Sequence, residues 1–282
     1  MQQHPAFTQQ SSKPFLKWAG GKQRLLSQLL GRLPQANRLI EPFVGAGSLF
    51  LSGRYPRAIL NDANADLMAL WTFIQERPAQ FCADASGLFC EENRNKRAYE
   101  CIRQKLNSEV DRYERCVRLL YLNRFGFNGL YRVNKAGSMN TPYGYPSSLP
   151  AFPWEQIALA HEKLRDVLIF GGDFQFAMSM AGAGDLVYCD PPYLPMTSAA
   201  FKYTPAGFSL AEHERLVQAA RQAVERGATV AISNHDTPEA RALYRGFEVH
   251  ELPSARHIAA KVCARRSARE LLAILHPAKS SA

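Results

Sequence analysis

Six short runs along the chain are nearly continuous in apolar residues and stop at turn formers: 38–44 (RLIEPFV), 58–62 (AILND), 167–173 (VLIFGGD), 186–190 (LVYCD), Thr229–His235 (TVAISNH) and 247–252 (FEVHEL). A strand with one wet face alternates apolar and polar residues. Runs without that alternation read as parallel strands covered on both faces. Between the fourth and fifth runs, residues 209–226 repeat Leu210, Leu216, Val217, Ala220 and Val224 at helical spacing, with a Ser209/Glu212 capping box before them and Gly227 beyond. Strands alternating with helices predict an α/β sheet.

The middle of the chain breaks this rhythm. A charged stretch from about 91 to 121 reads as one long helical segment. The aromatic stretch after it, RFGFNGLYRVNKAGSMNTPYGYPSSLPAFPW, is punctuated by Asn128-Gly129, Pro142 and the Gly144/Pro146 pair and follows neither period. Residues 91–145 hold 11 Lys/Arg against 6 Asp/Glu, so +5 of the chain's net +9 lies there. The expected organisation is a sheet domain over 1–75 and 160–282, interrupted by a helical recognition domain over 76–159.

That charge favours a polyanionic partner, with nucleic acid ahead of an anionic membrane surface. The start, MQQHPAFTQQSSKPF, has no apolar signal-like core, and no uncharged run reaches the roughly 18 residues a spanning helix needs. A cytoplasmic, nucleoid-associated protein with no membrane contact is expected. Six cysteines (Cys82, Cys90, Cys101, Cys116, Cys189, Cys263) form no CxxC, and seven histidines form no ligand spacing, so reduced, mostly buried thiols and no metal are expected. No heptad is visible, which leaves a monomer as the default.

In LIEPFVGAGSLF an apolar strand ends in Gly45-Ala46-Gly47 and Ser48 opens a helix, a turn tight enough for a ligand to approach the backbone. By itself this fits an ordinary strand-to-helix turn equally well. Asp62 shifts the balance: it ends the next strand, 17 residues after Gly45, where a carboxylate can accept from ribose hydroxyls. The third glycine of a dinucleotide fingerprint is missing, and AGGK at 19–22 lacks the upstream glycine of a Walker loop. A ribose acid without a phosphate cradle suits S-adenosylmethionine. In FLKWAGGK, Lys22 could then pair with the cofactor carboxylate and Trp18 cover its apolar or sulfonium part; a surface turn with a packed Trp is the alternative.

VYCDPPYLP poses the sharpest chemical question, because a strand stops at an acid and two prolines follow. Prolines fix φ and donate no N–H, so Asp190 and the carbonyls beside it point out of the sheet end. The exocyclic amine of adenine is a poor nucleophile because its lone pair is delocalised into the ring. The Asp190 carboxylate and the Pro191 carbonyl, each accepting one of its N–H bonds, would favour a tetrahedral nitrogen aimed at a methyl sulfonium. Pro192 completes the rigid turn and Tyr193 can stack on the base. Such a base must be extruded from its duplex, at about a few kcal/mol. A plain Pro-Pro turn is the competing reading.

In order, FLKWAGGK, EPFVGAGS, YLNRFGFNGLYR, YCDPPY and ISNHDT resemble the Dam-type DNA adenine-N6 methyltransferases, from Phe15 to the closing ARELLAILHP. The resemblance implies a Rossmann-like S-adenosylmethionine-dependent methyltransferase sheet with an inserted helical DNA-recognition domain. It also implies a site-specific DNA-methyltransferase (adenine-specific) acting on GATC in double-stranded DNA. It places cofactor contacts on Trp18, Lys22, Asp62 and Asp190, with Phe43, Gly45 and Gly47 lining the pocket and Asp173 and Phe174 beside the cofactor adenine. Lys17, Asn128, Leu130, Arg132 and Pro142 fall where the family reads or wedges its site: Lys and Arg can donate to guanine, Asn can bridge to adenine, and Leu130 can intrude between bases. On residue type alone, phosphate contacts would be favoured for the polar ones. Phe127 stands where relatives carry Tyr, and Tyr145 is displaced by about one position. The basic segment 254–270 could flank the DNA backbone or form a solvated hairpin.

Other readings remain distinguishable. N4-cytosine methylation usually begins its motif with Ser, C5-cytosine methylation needs a Pro-Cys nucleophile, and RNA or protein-glutamine methylation more often shows Asn first. A catalytically silent, sequence-specific DNA-binding regulator would not need Asp190-Pro191-Pro192-Tyr193, the glycine turn and Lys22 together.

Overall fold

The computed structural model describes residues 13–194, 208–252 and 269–278. Its centre is a seven-stranded sheet of β1 (Arg38–Glu41), β2 (Arg57–Asp62), β3 (Val167–Gly171), β4 (Asp185–Cys189), β5 (Thr229–His235), β6 (Glu248–Leu252) and β7 (Glu270–Leu275), in the order β3-β2-β1-β4-β5-β7-β6. β1 to β5 are parallel, as their unbroken apolar runs predict; β1 and β4 are each flanked by strands on both sides, and all five residues of β4 are buried. This is a mixed α/β architecture with a mostly parallel sheet.

The six expected strands all run in one direction, and the exception is a seventh. β7 runs antiparallel between β5 and β6, so the strand expected at 247–252 pairs only with an antiparallel neighbour. An apolar run does not record its own direction.

The helices are α1 (Leu26–Leu30), α2 (Ser48–Ser52), α3 (Ala65–Glu76), α4 (Pro78–Ser86), α5 (Lys96–Ser108), α6 (Arg112–Phe125), α7 (Trp154–Lys163), α8 (Phe174–Ser179), α9 (Leu210–Glu225) and α10 (Pro238–Leu243). α9 begins as expected, with the Ser209 side chain accepting from the Glu212 N–H, and Gly227 at φ 94° turns the chain beyond its end. Helix α3, capped by Asn64, and α4, opened by Pro78, fill a stretch in which no element had been expected.

The stretch expected as one long helix from 91 to 121 is two. α5 stops at Ser108, and Asp111 starts α6 by accepting from the Glu114 N–H. Such an acceptor satisfies one of the four free N–H groups of a new helix, so the chain turns there. These helices lie between β2 and β3 in sequence and share one apolar cluster with the sheet, around Trp71, Tyr99, Tyr121 and Phe125. The boundaries expected at 75/76 and 159/160 fall within α3 and α7.

Candidate active site

The carboxyl ends of β1, β2, β4 and β5 open into one cleft of about 1110 Å³. From β1 the chain builds outward through β2 to β3, and from β4 through β5, so the cleft lies where strand order reverses. In open α/β sheets that crevice is where ligands bind.

Gly45 and Gly47 adopt φ of 49° and 65°, a left-handed turn open to glycine and costly for other residues. A Cβ on Gly45 would sit 2.9 Å from Cδ1 of Trp18, and one on Gly47 would sit 2.9 Å from the buried Trp71 ring. Asp62 straps the turn: its Oδ2 accepts from the Gly45 N–H at 3.1 Å and its Oδ1 from the Asn64 N–H at 3.0 Å. Burial raises its pKa, opposed by the backbone N–H groups of Asn64, Gly45 and Ala63. Trp71 donates to the Gly45 carbonyl at 3.2 Å. Gly47→Ala therefore combines backbone strain with a clash that Trp71 cannot relieve, and is expected to lower unfolding free energy by about 2 kcal/mol or more in urea melts.

One end of the cleft is aromatic. Phe43 stacks on Phe174 at 5.3 Å, with Phe208 edge-on at 5.7 Å. Asp173 caps α8 and takes a two-pronged hydrogen bond from Arg215, at 3.0 and 2.7 Å, which holds its carboxyl below the usual range. The Arg215 guanidinium lies 4.2 Å over the Phe174 ring.

At the other end, β4 delivers Asp190. Its Oδ1 lies 3.0 Å from Lys22 Nζ, which also approaches Glu270 Oε2 at 3.5 Å and donates to the Gly20 carbonyl at 3.0 Å. Burial raises the Asp190 pKa and the Glu270 charge adds to it, while Lys22 pulls the other way. Pro191 is buried and Pro192 half-buried, both on the cleft wall. Tyr193 carries Lys22 Nζ 4.5 Å from its ring centroid, meets the His235 ring edge-on at 4.7 Å and donates its hydroxyl to Glu270 at 2.8 Å. Asn234 accepts from the Leu194 N–H at 3.2 Å and fixes the exit of the turn.

All eight candidate cofactor residues other than Asp190, namely Trp18, Lys22, Phe43, Gly45, Gly47, Asp62, Asp173 and Phe174, lie on or beside this wall; Gly47 alone sits behind it, against Trp71. Sequence reasoning passed over Glu41. It ends β1 at 3% exposure, lines the cleft and leaves Oε2 without a partner. Its pKa is pushed up to about 8 by burial and by the nearby Asp190, against a hydrogen bond from the Phe50 N–H. The signal was an acid inside an otherwise apolar buried run. Tyr131, His235 and Glu270 also line the cleft unannounced.

Beside the cleft, Asn123 gathers the DNA candidates. Its side chain accepts from the Lys17 N–H at 2.9 Å and donates to the carbonyls of Lys17 and Gly129 at 2.6 and 3.0 Å. The Lys17 stem packs beneath Gly129; burial and the neighbouring Arg124 lower the Lys17 pKa. Asn128 stands exposed at φ 53° and Leu130 is half-buried. Exposed Pro142 is tied in because its carbonyl accepts from the Phe127 N–H at 2.9 Å, and Arg132 is held by Asn140. Tyr131, within this loop, stacks on Trp18 at 5.7 Å and donates to Asp66 at 3.3 Å, joining loop to cleft. Phe127 and Tyr145 are exposed at 49% and 69%.

Cys82, Cys116 and Cys189 are buried, as expected of core thiols, but Cys90 is half-buried and Cys101 exposed. Cys263 and residues 254–268 of the basic segment lie outside the described residues. Among the described residues no helix is long and apolar enough to cross a membrane, and no group of His, Cys, Asp or Glu could hold a metal ion.

Residues 18–258 match the family model of the D12 class N6 adenine-specific DNA methyltransferases. The chain is 38% identical to a DNA adenine methylase of Vibrio cholerae, over 95% of this chain and 98% of the relative. It is also 38% identical to the Serratia marcescens DNA adenine methylase, over 93% and 98% of the two chains. For the DNA adenine methylase of Escherichia coli K12 the figures are 37%, 94% and 96%.

Proposed function

The chain belongs to the D12 class of N6 adenine-specific DNA methyltransferases, and from that membership we propose that it moves a methyl group from S-adenosylmethionine to an adenine extruded from double-stranded GATC. One observation carries the reading: the Asp190-Pro191-Pro192-Tyr193 turn opens into the same cleft as the glycine turn and the unpartnered carboxyl oxygen of Glu41.

The donor's functional groups match what lines that cleft. Asp62 would accept from ribose hydroxyls and the Phe43/Phe174 pair would cover the adenine, with Asp173 at its edge. Glu41 would meet the α-ammonium, while Trp18 and Lys22 close the near wall. S-adenosylmethionine supplies an electrophilic methyl group on a sulfonium. Asp190 and the Pro191 carbonyl would accept the two N–H bonds of the target amine and orient its lone pair, and Tyr193 would stack on the base. The 76–159 insertion would form the recognition part, with Lys17, Asn128, Leu130, Arg132 and Pro142 reading or wedging the site. We infer further that the enzyme works in the cytoplasm beside its DNA substrate, with a monomer as the default because no heptad is visible.

Glu41 gives an early check. Its raised pKa means its contribution to stability is full below the unfolded value and is lost as pH rises through about 8. Glu41→Gln is thus expected to melt like the parent only in acid, below the ordinary carboxylate pKa, and increasingly above it from there through neutral pH to about 8. The same variant loses a charge-assisted bond to the ammonium, so its Kd for S-adenosylmethionine by calorimetry rises roughly ten-fold.

Tritiated S-adenosylmethionine with duplexes that differ only in GATC or a scrambled site tests the whole reading. Label on adenine of the GATC duplex alone is expected. Equal label on both would overturn the GATC assignment, and no label with intact DNA binding would favour the silent regulator.

A further inference from the structure

Glu270 opens β7 and is fixed there on both sides, in register with His235 of β5 and Leu252 of β6. From this rigid place its Oε2 accepts the Tyr193 hydroxyl at 2.8 Å and draws Lys22 Nζ to 3.5 Å, while Lys22 keeps its 3.0 Å contact with Asp190. We propose that Glu270 is a positioning residue for methyl transfer, sharing Lys22 with Asp190 and anchoring the hydroxyl of Tyr193 so that carboxylate and ring are held for the incoming amine. The proposal rests on the reading of Asp190 as the amine acceptor.

Two physical needs make such a residue useful. A carboxylate paired only with an ammonium is a weakened acceptor, and a second carboxylate competing for Lys22 leaves Asp190 more of its basicity. A tyrosine that receives a base should not swing, and a hydroxyl anchored to a strand fixes the ring plane at its far end. Lys22 also lies within reach of both carboxylates in the half-buried cleft, where an unpaired charge would be costly.

The groups facing Asp190 are Lys22 ahead of α1, Glu41 of β1, Tyr188 of β4, Tyr193 beyond it and Glu270 of β7, with His235 of β5 behind the Tyr193 ring. Among them Glu270 raises the Asp190 pKa and Lys22 lowers it. Glu270→Gln keeps an acceptor for Tyr193 but removes the charge and returns Lys22 to Asp190, and both changes lower the Asp190 pKa. The acid limb of the rate profile, where Asp190 becomes protonated, must then move to lower pH.

The test is single-turnover methyl transfer against pH for the full-length enzyme, its Glu270→Gln, Glu270→Ala and Tyr193→Phe variants, the Glu270→Ala/Tyr193→Phe double variant, and Asp190→Asn. Expected are an acid limb displaced to lower pH in Glu270→Gln and a plateau rate reduced roughly ten-fold, with Kd for S-adenosylmethionine and Tm unchanged. Glu270→Ala and Tyr193→Phe should be less than additive, since both break one bond. An unmoved acid limb, or a loss carried wholly by Tm or cofactor Kd, overturns the positioning role. Asp190→Asn at full rate would instead overturn the underlying reading.

Discussion

Asp190→Ala is expected to slow methyl transfer by about a thousand-fold or more, while the protein melts at the parent temperature or above it. The loss follows from the proposed role. With the carboxylate gone, the Pro191 carbonyl alone cannot hold both N–H bonds, and the amine's lone pair returns to the ring. Stability moves the other way. The folded pKa of Asp190 is raised, chiefly by burial, so its stabilising contribution is complete only below the unfolded value and has been lost once pH passes the folded one. At neutral pH, above the unfolded value, the fold carries this carboxyl at a disadvantage. Its removal strands no cation, because Lys22 keeps Glu270 and the Gly20 carbonyl. Calorimetry beside single-turnover rates checks both halves. Retained activity would refute the assignment of Asp190, and a large fall in Tm would make it a structural residue.

The features legible in the sequence share a cause: each is a local interruption of a pattern. Asp190 halts an apolar run and prolines forbid its continuation; Gly45 and Gly47 break another run where only a left-handed turn fits. Parallel strands are legible because covering both faces removes alternation. What stayed hidden depends on long-range pairing. Glu270 meets Tyr193 across 77 residues only because β7 enters the sheet antiparallel beside β5, a direction no apolar run encodes. Tyr131 likewise meets Trp18 because Asn123 draws Lys17 and Gly129 together, a bond across 106 residues. Other misses were legible in principle. Asp111 marks the start of α6 by its cap, and Glu41 is an acid in a buried strand, the local conflict that functional sites carry.

Arg132→Ala is expected to reduce discrimination between GATC and a scrambled duplex by about 10- to 100-fold, the worth of one two-pronged contact to a guanine edge. The residue is prepared for such a contact. Its Nε and Nη2 donate to the side-chain and backbone oxygens of Asn140 at 2.7 and 3.0 Å, and its own N–H donates to Thr141 Oγ1 at 3.2 Å. Thr141 is buried, and its carbonyl accepts from Tyr99 at 3.2 Å and Arg103 at 2.7 Å. A guanidinium braced in this way has little conformational freedom left to lose on binding, which favours reading an edge over trailing along a phosphate. The two roles separate in measurement. A phosphate contact, when removed, weakens both duplexes alike and flattens the salt dependence, whereas a base contact penalises the GATC duplex alone. Arg132→Lys sharpens the distinction: lysine restores a charge for a phosphate but not the planar fork that spans two acceptors. Recovery of discrimination in the lysine variant would assign Arg132 to the backbone, and its continued absence would assign it to the base.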